Sequence, residues 1–111
     1  MRQAIGIGLR KEHYQDFFTS EGKSIKYPSI DCLEIITENY FRTDGLPFQK
    51  VLKLREDYSL SSHGVSLSLA SLGDLDYTYL NDLKKFYDVL EPMQVSDHLC
   101  FTGLGHSNTH N

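Results

Sequence analysis

DCLEIITENYFRTDGLPFQKVLKLREDYSLSSHG, residues 31–64, carries a strand, a helix and a second strand in one uninterrupted run. Its opening residues, DCLEII, are nearly continuous in apolar character except for Glu34, as befits a strand covered on both faces. Pro47 suits the first turn of a helix, where the N–H it lacks has no intrahelical partner anyway. Leu46, Val51, Leu52 and Leu54 give that helix a buried stripe. Tyr58 and Ser59 then lead into the strand LSSHG. Two strands joined by a connection of this length are predicted to run parallel, because parallel pairing needs a long crossover.

The same alternation continues on both sides. Upstream, AIGIGL (4–9) reads as a short strand and residues 11–20 as a helix with Tyr14, Phe17 and Phe18 at helical spacing, followed by the turn-rich EGKSIKYPS. Downstream, Asp74 or Asp76 can cap a third helix, in which Tyr79, Leu80, Leu83, Phe86, Tyr87 and Leu90 repeat at i, i+3, i+4, i+7. Glu91-Pro92 stops it, and QVSDHLCF forms a fourth strand.

The order βαβαβαβ demands a parallel sheet, which a small open sandwich or a barrel could each provide. FTGLGHSNTHN leaves the fourth strand as a polar loop with no closing helix, which favours the barrel. The expected fold is α/β, the N-terminal half of a TIM (β/α)8 barrel of xylose-isomerase-like type. Residues 1–111 then form one partial barrel domain, truncated at the loop after the fourth strand. Its inner face is expected to carry Ile5, Ile7, Cys32, Ile36 and Val95, exposed and prone to association.

Eleven basic against fifteen acidic residues give a net charge of −4, with no basic cluster. Nucleic-acid and anionic-membrane surfaces are therefore excluded as partners. No apolar run approaches the roughly 18 residues of a membrane span, and MRQAIGIGLRKEHY lacks the apolar region of a secretory signal. Cys32 and Cys100 are widely separated and without CxxC spacing, which fits reduced, strand-embedded thiols in a cytoplasmic protein.

Polar residues gather where the strands end: Arg10, Glu38-Asn39, His63 and Asp97-His98. In parallel α/β barrels that edge is where active sites are built. His63 and His98 are expected at equivalent positions on adjacent strands, close enough to share a divalent metal. Glu34 and Glu38 share strand parity, with Glu38 nearer the rim. A mixed imidazole and carboxylate set suits iron, manganese or zinc. Asp97 could equally orient an imidazole or cap amides. His13 reads as surface, His106 and His110 as tail, and Gly6/Gly8 as too little for a phosphate motif.

GIGLR near the start, LEIITENYF at 33–41, LREDYSLSSHGVSLSL at 54–69 and VSDHL at 95–99 together resemble the opening third of the multinuclear non-haem iron-dependent oxidative enzymes. The motifs stand in family order along essentially the whole chain. The resemblance implies that His63 and His98 are iron ligands, and that Glu38, Asn39 and Asp97 match catalytic motif positions near the cluster. It also implies two or three irons, dioxygen as co-substrate, a ribosomally made peptide whose cysteines are oxidised, and a partner protein that recognises the leader peptide. The family's remaining ligands lie on later strands, so residues 1–111 alone are not expected to turn over. A divalent-metal isomerase or phosphodiesterase on the same barrel, and a non-catalytic truncated remnant, are the alternatives.

Overall fold

Leu33 and Ile35, each fully buried, anchor the centre of the molecule. They belong to β2 (Cys32–Ile36), which lies between β1 (Gly6–Gly8) and β3 (Ser59–Gly64), with β4 (Gln94–Asp97) beyond β3. The computed structural model describes residues 3–41, 45–65 and 76–97, and the backbone of 103–104 and 107–108. The four strands form one sheet in the order β1-β2-β3-β4, every neighbour pair parallel. This is the α/β arrangement of a partial barrel.

Side chains alternate across the sheet. Leu33 pairs with Leu60 and Ile35 with Ser62, so all four share the face that the helices cover. Helix α2 (Leu46–Leu54) presses Phe48, Val51 and Leu54 onto that face, and α3 (Tyr77–Leu90) adds Leu83, Phe86 and Leu90. Burying each such side chain contributes about 1.5–3 kcal/mol. Phe48 and Phe86 meet with ring centroids 5.4 Å apart, locking the two helices together. Phe17 closes the other end of the core, edge-on to Tyr27 and Tyr58.

Helix ends follow local chemistry. Asp76 accepts the Tyr79 amide at 3.1 Å and so caps α3, and Glu91 ends it with a left-handed backbone, φ 50°. Gly45 precedes α2 and Pro47 lies in its first turn.

Four expectations change. Leu46 is 70% exposed and Phe48 takes its place in the stripe. At 100° per residue, Leu46 stands on the far side of the helix from Phe48. The first helix reaches only Phe17, as a 3-10 turn (Lys11–His13) followed by α1 (Tyr14–Phe17). Phe18 is already extended and bridges Ser24 in antiparallel fashion, across a tight turn that Gly22 makes possible with φ 80°.

The third concerns the sheet face away from the helices. Ile7 pairs with Leu33 and Val95 with Ser62, so both belong to the helix-side face, where they are 40% and 50% exposed at the sheet's edges. The opposite face carries Gly6, Gly8, Cys32, Glu34, Ile36, Ser61 and His63, and is mostly small or polar. The final segment, expected as an open loop, contains a short antiparallel pair, β5 (Gly103–Leu104) with β6 (Ser107–Asn108). Among the described residues, no helix is long and apolar enough to cross a membrane.

Candidate functional site

The C-terminal edge of the sheet is built by register. Ile36 lies beside His63, His63 beside Ser96, and Gly64 beside Asp97. Ser96 rather than His98 therefore stands opposite His63, and its hydroxyl meets the ring at Nδ1, 2.7 Å away. A hydroxyl on one ring nitrogen fixes the orientation of an imidazole, as partners behind metal ligands do. His98, Cys100, His106 and His110 lie outside the described residues.

Glu38 sits in a 3-10 turn, Thr37–Asn39, that follows β2, so strand parity does not govern where it points. Its carboxylate accepts the backbone N–H of Val65 at 2.8 Å through Oε1 and 3.2 Å through Oε2. The Tyr79 hydroxyl of α3 donates to Oε2 at 3.1 Å. Burial first, then the charge and hydrogen bond of Glu38 and the charge of Asp97, raise the Tyr79 pKa well above that of an ordinary phenol. The phenol therefore remains a donor throughout the physiological range.

Gly64 explains why this edge is so crowded. A Cβ at that position would collide with the Asp97 carboxylate and lie 3.6 Å from Oε2 of Glu38. Without a Cβ, Gly64 lets the Asp97 carboxylate close on the strand. Beneath them, Thr37 and Ser62 are buried and joined by a 2.7 Å bond between hydroxyls, with the Tyr87 hydroxyl 3.4 Å from Thr37.

Glu38, His63 and Asp97 are thus gathered around one strand end. Asn39 and Arg10 are exposed, and Glu34 is exposed on the face away from the helices. The register sets Gly64 and Asp97 on the helix side, opposite in parity to His63 and Ser96. Among the described residues, no three His, Cys, Asp or Glu side chains come together closely enough to hold a metal. Ser96 and Tyr79 were not singled out from sequence. Tyr79 matched the helical core period, and nothing in that period distinguishes a phenol that reaches a carboxylate from one that packs.

A parallel sheet of barrel type with polar groups at its C-terminal strand ends belongs to a class of fold whose active sites, where present, are built at that edge. Within that class the chain belongs to the family of RiPP (ribosomally synthesised and post-translationally modified peptide) precursor modification enzymes MbnB/TglH/ChrH, whose profile matches residues 4–111. It is similar to a UPF0276 protein of Caulobacter vibrioides, 41% identical over 106 residues, which cover 96% of this chain and 36% of the relative. A UPF0276 protein of Rhizorhabdus wittichii is 37% identical over 109 residues, covering 98% of this chain and 38% of the relative. One from Acaryochloris marina is 41% identical over 105 residues, covering 94% and 36%. The chain thus spans little more than a third of the length of these curated relatives.

Proposed function

We propose that this chain forms the N-terminal part of an iron-dependent enzyme that oxidises cysteine residues of ribosomally made precursor peptides. The observation that carries the reading is the pairing of His63 with Ser96 across β3 and β4, at the same C-terminal edge where Glu38 and Asp97 close on Gly64 from the helix side. Membership of a precursor-modifying family supports a peptide substrate.

In this reading His63 and His98 hold iron, two or three ions in the complete enzyme, and Glu38, Asn39 and Asp97 line the rim. Imidazole nitrogen with carboxylate oxygen is a donor set that suits iron. With Ser96 at Nδ1, Nε2 of His63 is the nitrogen this reading gives to iron. Bound iron supplies a Lewis acid, a redox centre and a template, with dioxygen accepting the electrons that cysteine gives up. The chain's own part is to orient the His63 ring through Ser96 and to fix the strand end through Glu38. A leader-recognising partner delivers the peptide, in the cytoplasm.

Anaerobic loading of the full-length gene product with Fe(II), followed by metal analysis, tests this. Wild type should bind iron, and His63→Ala and His98→Ala should each lose most of it. Undiminished iron in His63→Ala sinks the ligand assignment. Tight, colourless zinc or manganese in place of iron redirects the protein to metal-dependent hydrolysis or isomerisation.

A further inference from the structure

We propose that Tyr79 is a positioning residue: its hydroxyl holds the Glu38 carboxylate against the Val65 amide and thereby fixes the end of β3 that bears His63. The proposal rests on the reading above, in which His63 faces the chemistry.

Val65 is the first residue beyond β3, two positions after His63, which is about 7 Å of strand. Its N–H is taken by both oxygens of one carboxylate from the turn after β2. Hydrogen bonds to an ionised acceptor are roughly twice as strong as neutral ones, so this contact ties the two strand ends firmly. The half-buried carboxylate needs more than one donor to offset its lost hydration. Tyr79 supplies the second from α3. Its ring is itself held edge-on against Phe41, with centroids 4.9 Å apart. The raised phenol pKa keeps the proton in place.

The strand end is also walled. The Asp97 carboxylate occupies the space a Cβ on Gly64 would need, and Oε2 of Glu38 lies at contact distance from the same spot. Removal of the Tyr79 hydroxyl frees Glu38 to rotate, and the Val65 amide loses its fixed acceptor. A displacement of about 1 Å at a reacting group can cost roughly 100-fold in rate, which is why a residue outside the metal's reach matters here.

The test uses the full-length gene product as wild type, Tyr79→Phe, Glu38→Gln and Glu38→Ala. Hydrogen exchange is read at individual amides, and the visible spectrum is recorded after addition of cobalt(II) alone. Tyr79→Phe should raise exchange at Val65 about tenfold, the loss expected when one charge-assisted hydrogen bond loosens. The Leu33 and Leu60 amides should not change, and the cobalt(II) bands should shift. Glu38→Gln, which keeps one acceptor oxygen, should fall between wild type and Glu38→Ala. Unchanged Val65 exchange in Tyr79→Phe overturns the proposal. Faster exchange at Val65 together with no cobalt(II) uptake by wild type leaves the clamp standing and removes the metal reading, so the two fail separately.

Discussion

Seen from its two sides, β3 is two different strands. Toward the helices it presents Leu60, Ser62 and Gly64, all buried, paired with Leu33 and Ile35 and covered by α2 and α3. Toward the other side it presents Ser59, Ser61 and His63, beside Cys32, Glu34, Ile36, Gln94 and Ser96. The first face is closed by this chain's own residues and carries the stability. Among the described residues the second has no apolar layer packed on it, and its polar groups sharpen toward the C-terminal edge. Barrel interiors are usually filled by bulky branched side chains. Here the corresponding surface is mostly small and polar among the described residues.

Breaking the polar face should cost function and little stability. His63→Ala in the full-length product should lower iron affinity by more than the roughly 10–100-fold that an outer partner is worth. Thermal unfolding of the same variant should stay close to wild type. Breaking the packed face should do the reverse. Leu33→Ala is expected to cost about 2–5 kcal/mol, measured by denaturant titration, with the metal spectrum of the surviving folded fraction unaltered.

Where the faces meet, the effects should mix. Gly64→Ala drives a methyl into the Asp97 carboxylate, so a loss of about 1–3 kcal/mol should accompany weaker metal binding. Asp76→Ala removes only the cap of α3, at about 1 kcal/mol, and should leave the rim untouched in hydrogen exchange. Smallest on stability, within about 0.5 kcal/mol, is Ile7→Ser, an exposed edge position. Its effect should show in sedimentation of the 111-residue chain as reduced self-association, since the sheet's exposed apolar side chains, Ile7 and Val95, sit at its edges and not on its polar face.

That last correction marks where sequence stopped being sufficient. The alternation of strands and helices was legible because long apolar periods in 31–64 and 77–90 leave few other solutions, and Asp76 and Glu91-Pro92 mark the ends of α3. Which face Ile7 and Val95 occupy was not, because a three- or four-residue strand has too little pattern to reveal its parity. The early end of α1 depends on Phe18 pairing with Ser24, a contact outside the helix's own period. At the site, Glu38 and His63 stood out as polar groups at strand ends. Ser96 did not, because the β3–β4 register is offset from the position at which His98 would match His63.

The neighbour order β1-β2-β3-β4 has a consequence for biogenesis. A ribosome adds about 5–20 residues per second, so one strand-helix unit of some thirty residues takes seconds to emerge. Helices and short contacts form in microseconds. Each of β2, β3 and β4, on leaving the exit tunnel, therefore finds the preceding strand it joins already in place. These four strands can add one after another in the direction of translation, each at the growing edge.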